Sequence, residues 1–177
     1  MSTTFEVYPS SKVIPSFLEV LYLTEQEVNK YLRSMNIDKD IRLSAGLQSI
    51  KTHAGKPVAL TDKMIWDESM YAWFYMDKLP GGTDTYFYQH DDLVIECLTE
   101  ELAVNPDFKK FRYIFEKNIE LGYRWVFRRS AGQPAVITLC YGFLAAALAM
   151  FTDGVVYTDD GAWDYKRFPA DPNDFVQ

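Results

Sequence analysis

Apolar residues recur at period two in some stretches of this chain and at helical spacing in others. Thr4 to Tyr8 alternates and is ended by Pro9, which reads as a strand. Ile41, Leu43, Ala45 and Leu47 alternate ahead of Gly55-Lys56-Pro57, which reads as a turn. Met70 to Met76 and Thr83 to Tyr88 are rich in aromatic and β-branched residues, with Leu79-Pro80-Gly81-Gly82 between them as a hairpin connection. Tyr123, Trp125 and Phe127 alternate with Arg124, Val126 and Arg128, as a strand with one buried face does. Val155-Val156-Tyr157 is a short last strand.

The helical stretches carry their own punctuation. Pro15 and Ser16, with Glu19 three residues after the serine, mark a helix start. Phe17, Leu21, Val28, Leu32 and Met35 continue its stripe. Thr24 and Glu27 offer a second capping box, so one helix or two fit this stretch. A helix from about Asp92 places Leu93, Cys97, Leu98 and Leu102 on one side. A further helix has Asn105 as N-cap, Pro106 at its first position, the face Phe108, Phe111, Phe115 and Ile119, and Gly122 as terminator. Gln133 and Pro134 open a last, alanine-rich helix that Asp153-Gly154 ends. Strands cluster between helices without regular βαβ alternation. The expected fold is therefore α+β: a single domain over 1–177, with an antiparallel or mixed sheet and about four helices. The alanine-rich helix is central, and an acidic tail from 159 to 177 is less regular.

Composition changes this picture little. The chain has 177 residues, 48% hydrophobic and 24% charged, as a globular domain does, and needs no disulfide or metal staple. No charge lies between Ser130 and Thr152, yet the stretch is interrupted by Gly132, Gln133, Pro134, Thr138 and Gly142, and only Ala135 to Phe151 are predominantly apolar, short of the roughly 20 residues of a membrane span. They read as a helix surrounded by protein. The start of the chain lacks the basic and apolar regions of a secretory signal, and two cysteines, Cys97 and Cys140, read as reduced, buried thiols in a cytoplasmic protein. A single disulfide between them is the other arrangement.

Charge is segregated. The formal net charge of −7 resolves into −1 over residues 1–78, −7 over 79–108, +5 over 109–129, zero over 130–152 and −4 over 153–177. The excess of acid argues against general nucleic-acid binding and favours a basic partner. Cations interleave with aromatics from Lys109 to Arg129, a pattern that can bind single strands. The aromatics, however, fall on predicted core faces.

Three constellations bear on chemistry. His90-Asp91-Asp92 and Asp159, Asp160 and Asp164 gather oxygen and nitrogen ligands, though neither follows the spacing of a calcium loop, and Asp91 and Asp92 suit a helix start. Arg128 to Pro134 leads a strand through Gly132 into a helix N-terminus, the arrangement that attracts anions, without the glycine spacing or lysine of a P-loop. Arg128 and Arg129 either bind such a ligand or pair internally with Asp159, Asp160 or Asp164. Neither histidine, His53 nor His90, stands with a cysteine or serine in a nucleophile pattern, since Cys97 falls on an apolar stripe. No catalytic constellation and no cofactor motif emerges.

Several segments taken together resemble one bacterial family. They are Ala72-Trp73-Phe74, Pro80 to Phe87, Tyr123-Arg124-Trp125, Arg128 to Pro134, Tyr141-Gly142, Asp159-Asp160-Gly161-Ala162-Trp163-Asp164 and Phe168-Pro169. The chain resembles, from about Pro15 to Phe175, the immunity proteins of polymorphic-toxin systems. Its likeness is to those encoded beside nuclease toxins of restriction-endonuclease-like fold, some delivered by type VI secretion. The resemblance implies a non-enzymatic α+β protein without cofactor or metal, which binds and blocks a sibling toxin in the cytoplasm and touches neither nucleic acid nor membrane. Within the shared motifs, Gly81 and Gly82 shape a turn, Trp73, Trp125 and Trp163 fill the core, and Arg128, Arg129, Gly132 and Pro134 belong to the framework. The expected contact surface is the acidic block Asp84, Asp91, Asp92, Glu96, Glu100 and Glu101, with Asp159, Asp160, Asp171 and Asp174 as further candidates, facing a basic nuclease cleft. Two other readings stand beside it. One is a metal-dependent hydrolase built on His90, Asp91 and Asp92 or on Asp159, Asp160 and Asp164; the other is an anion-binding regulatory module built on Arg128 and Arg129.

Overall fold

The computed structural model describes residues 2–160 and 168–175. The strands are β1 (Ser2–Tyr8), β2 (Ser44–Ser49), β3 (Gly55–Pro57), β4 (Met70–Tyr75), β5 (Thr83–Gln89), β6 (Tyr123–Ser130) and β7 (Val155–Tyr157), and all but β3 arise from the stretches read as strands. They form one sheet in the order β3-β2-β4-β5-β6-β1-β7, every pairing antiparallel. The helical segments are α1 (Phe17–Ser34), α2 (Asp92–Val104), α3 (Pro106–Lys110), α4 (Arg112–Leu121), α5 (Ala135–Phe151) and α6 (Pro172–Phe175). The α+β class and the expected central helix are both present, and four of the described helices run to ten residues or more.

The sheet is dressed unequally on its two sides. Phe5, Val7, Ala72, Phe74, Phe87, Trp125 and Phe127 point to one face, where α5, α1 and α6 cover them. Helix α5 is apolar all round because it is enclosed all round: eleven of its residues are buried, four of them alanines that let neighbouring elements come close. Each large side chain buried here contributes about 1.5–3 kcal/mol. Trp125 fills this core as expected and its indole Nε1 donates to the Met64 carbonyl at 2.7 Å, so its one polar atom is satisfied. No described helix is long and apolar enough to cross a membrane.

Several local expectations need correction. Gly55-Lys56-Pro57 is strand β3, not a turn, because Gly55, Lys56 and Pro57 pair with Gln48, Leu47 and Gly46. Thr24 starts no second helix: it is buried and its hydroxyl donates back to the Val20 carbonyl at 2.7 Å, so α1 runs on unbroken from the capping box at Ser16 and Glu19. Met35, 58% exposed, lies past the end of the buried stripe. The helix expected from Asn105 to Gly122 is two pieces, broken at Phe111 (φ −109°, ψ 23°). The break brings the rings of Phe108 and Phe115 within 4.6 Å. In a continuous helix those positions would be about 10.5 Å apart along the axis.

The other face is covered only in part. Tyr8 and Val155 alternate with the core residues of their strands and meet Leu98, Leu102, Phe108 and Phe115 from α2, α3 and α4. That layer sits over the β1–β7 end. Over β4, β5 and β6 this face instead carries Tyr71, Trp73, Tyr75, Tyr86, Tyr88, Arg124 and Arg128. Trp73 therefore does not fill the core: it is half-buried on this second face, with its indole against Gly82. A Cβ at Gly82 would stand 2.5 Å from the Phe74 carbonyl oxygen and 2.6 Å from the Trp73 ring, so the hairpin accepts only glycine there. Trp163 and Asp164 lie outside the described residues.

Candidate binding surface at helix α2

The placement of α2 follows from its ends. Asp91 is the N-cap, extended at φ −90° and ψ 174°, and its carboxylate accepts from the Val94 N–H at 2.9 Å. Asn105 closes the other end, its N–H donating to the Glu101 carbonyl at 2.8 Å. The Asn105 side chain then serves both neighbours: Nδ2 donates to Glu101 Oε2 at 2.8 Å, and Oδ1 accepts from the Asp107 N–H at 3.0 Å to cap α3. Leu98 and Leu102 anchor the helix in the small core with Tyr8, Phe108 and Phe115.

The face turned outward differs from the one expected. Leu93 and Cys97 are not on the buried side; Leu93 is 66% exposed, Val104 is 72% exposed, and the Cys97 thiol is exposed too. Asp92, Glu96 and Glu100, spaced four apart and all exposed, form an acidic row beside them. Among the described residues none of the three has a salt-bridge partner. The basic block that follows in sequence does not compensate them. Lys110 pairs with Asp107, Arg112 with Glu116, Lys117 with Glu120, Arg124 with Glu6 and Arg128 with Asp84, so its charge is largely spent locally.

Between α2 and the strands runs a groove of about 330 Å³. Glu6, Tyr8, Arg124 and Tyr157 form its sheet side, Leu93, Val94, Cys97, Leu98 and Glu101 its helix side, and Asp159 its rim. Arg124 Nε lies 3.1 Å from Glu6 Oε2, and the Tyr8 hydroxyl donates to that same oxygen. Burial, reinforced by Glu6, holds the Tyr8 phenol well above its ordinary value. The Tyr157 phenol is pushed up to about 12, by burial first and then by Asp159, Glu101 and Glu6 around it.

His90 sits behind this groove in a fixed tautomer. Asn118 Nδ2 donates to the carbonyls of Pro9 (3.2 Å) and Tyr123 (2.9 Å), so its Oδ1 accepts, and His90 Nε2, 2.7 Å away, carries the proton. Nδ1 then accepts from Arg124 Nη1 at 3.4 Å. Burial lowers the imidazole below its ordinary value, against the pull of Asn118, and Arg124 lowers it further, so the ring is neutral at pH 7. Both ring nitrogens are thus engaged, and Asp91 is turned to its cap. His90, Asp91 and Asp92 do not converge. Among the described residues no three His, Cys, Asp or Glu side chains stand where they could hold one metal ion.

The remaining sequence candidates scatter. Asp84 is five residues of strand away from Gln89, roughly 17 Å at the rise of a strand, and is bonded to Arg128. Of the two arrangements open to Arg128, internal pairing is the one formed, but its partner is Asp84 across the β5–β6 register and not an acid of the tail. The Arg129 guanidinium lies 5.9 Å over the Tyr141 ring. Gly132 is left-handed at φ 79°, and Pro134 caps α5 without a side-chain bond. Asp160 accepts from the Thr4 N–H (2.7 Å) and hydroxyl (2.9 Å) and ties the chain to β1. Asp171 accepts from the Asn173 N–H at 2.8 Å at the start of α6, and Asp174 lines a separate groove with Lys110 and Phe111. Of the acidic candidates only Glu101 and Asp159 line the groove, while Asp92, Glu96 and Glu100 lie exposed on the helix that forms one of its walls. Sequence reasoning missed Glu6, Tyr8, Arg124 and Tyr157, whose alternation marked them as outward-facing in their strands.

Comparison with protein-family models, curated proteins and solved structures gives no match.

Proposed function

We propose that this protein is a non-enzymatic inhibitor of the immunity type, which binds a basic cognate toxin, a nuclease, in the cytoplasm and blocks it through the face built on α2. The observation that carries this reading is the uncompensated acidic row Asp92, Glu96 and Glu100 beside the exposed Leu93 and Val104. Charge gathered beside exposed apolar side chains suits protein recognition: complementary potential speeds encounter, and the apolar residues supply contact area. Arg128, bonded to both Asp84 and Tyr86, gives the anion-binding alternative no comparable support.

The test is co-expression with the product of the adjacent reading frame in a bacterial host. That product should be lethal alone, harmless with this protein, and co-purify with it in a salt-sensitive complex. The triple substitution Asp92→Lys, Glu96→Lys and Glu100→Lys should remove protection while the melting temperature of the protein is kept. Full protection by the triple variant, or a neighbour that is neither toxic nor bound, would overturn the reading.

A further inference from the structure

The groove between α2 and the sheet has a chemistry narrower than a general acidic surface. Its walls are aliphatic and aromatic, from Leu93, Val94, Leu98, Tyr8 and Tyr157. Of its four charged groups, Glu6 and Arg124 neutralise each other at 3.1 Å on the floor, both mostly buried. Glu101 and Asp159 remain, and neither has a salt-bridge partner among the described residues. An anionic guest would meet these two carboxylates with nothing to offset them. A purely apolar guest would strip water from both without replacing it, which costs free energy. A long side chain with an apolar stem and a cationic head meets both requirements.

We propose that this groove receives a lysine or arginine side chain of the bound partner, its methylenes against Leu93, Val94 and Leu98 and its charged head between Glu101 and Asp159. The assignment rests on the reading of the protein as a toxin inhibitor and names the feature of the toxin that it grips. Arg124 on the floor limits the depth of entry: the guest's head stays at the rim, because deeper it would face a like charge. Cys97 lines the same groove with an exposed thiol, and so reports its occupancy, while Cys140 is buried in the core.

The experiment measures the rate at which N-ethylmaleimide labels Cys97, followed by mass spectrometry at low ionic strength, with a capped tetra-arginine peptide as probe and capped tetra-glutamate as control. With the probe at about four times its Kd, labelling should slow roughly fivefold by mass action. Tetra-glutamate should leave the rate unchanged. In the double variant Glu101→Gln, Asp159→Asn the protection by tetra-arginine should be lost; both substitutions keep shape, and the amide oxygen keeps an acceptor for Asn105. Equal protection in the double variant, or no protection in the parent protein, overturns the assignment. The same labelling in the complex with the neighbouring gene product separates the two readings. Rescue of growth with Cys97 still fully labelled in the complex overturns the groove assignment and leaves the inhibitor reading standing. Protection by tetra-arginine lost in the double variant, with no neighbour bound, supports the groove's preference for cations and overturns the inhibitor reading.

Discussion

Arg128 on β6 holds Asp84 on β5. The guanidinium Nε donates to Asp84 Oδ2 at 3.0 Å, Nη2 donates to the same oxygen and to the Tyr86 hydroxyl at 2.8 Å, and the group stacks 5.2 Å over the Tyr86 ring. Asp84 is thereby removed from the acidic surface and made part of the sheet. Asp84→Asn should cost only about 0.5–1 kcal/mol in a urea titration, because Arg128 is half exposed and the pair is partly screened. It should leave the affinity for the partner unchanged, as measured by calorimetry. A loss of binding comparable to that of the α2 triple variant would return Asp84 to the contact surface.

Asp91 is expected to matter for stability rather than for recognition. Its carboxylate satisfies the Val94 N–H at the start of α2. Asp91→Ala should destabilise the protein by about 1 kcal/mol, and Asp91→Asn should restore most of that, since either side chain caps a helix. Hydrogen exchange of the first-turn amides of α2 should quicken in the alanine variant alone.

His90 makes a pH prediction of definite sign. Its folded-state pKa lies below the unfolded value of 6.5, with burial the leading cause and Arg124 beside it. The unfolded chain therefore binds the proton more readily. The contribution of His90 to stability is complete above the unfolded pKa and is lost as pH falls from there through the folded pKa. The imidazole should titrate below 6.5 by NMR, with Nε2 protonated in the neutral ring. In His90→Gln the decline of stability across that window should be shallower than in the parent protein.

Gly82→Ala should be among the most damaging single changes outside the core. The added methyl meets the Phe74 carbonyl and the Trp73 ring at distances no real Cβ sustains. Relief requires moving the β4–β5 hairpin or expelling the indole, at a cost of about 1–3 kcal/mol. Thermal melting of the purified variant reads this directly, and an unchanged melting temperature would show that Trp73 can move freely.

Local pattern revealed most of the strands, because a sheet with one face in a core imposes alternation that survives in sequence. It could not decide which alternating face was the core one. Trp73 and Trp125 occupy similar patterns, and only the position of α5 sends one inward and leaves the other on the second face. Strand β3 was hidden because Gly55, Lys56 and Pro57 form a strand only through their pairing with β2. The break at Phe111 was hidden because Phe108 and Phe115 keep helical spacing on either side of it. On α2 the apolar positions misled for a geometric reason: Leu93 and Leu102 are nine residues apart, about two and a half turns, and so lie on opposite sides. The acidic row was legible as a charge block. The groove beside it was not, since Glu6, Arg124 and Tyr157 meet only when the two ends of the chain come together in the sheet.

That meeting has a consequence for synthesis on the ribosome. β1 is placed inside the sheet, yet both of its partners, β6 and β7, are made long after it. At a translation rate of roughly 5–20 residues per second, the ribosome needs about 6–24 s after completing β1 to reach β6. Throughout that interval Phe5 and Val7 lack the strands and the helix that bury them. The β3-β2-β4-β5 half of the sheet can assemble as it emerges, whereas the half that forms the floor of the α2 groove closes only once β7 has been made. The acidic row of α2 is made before the strands that complete the groove, so row and groove come together only after β7 has been synthesised.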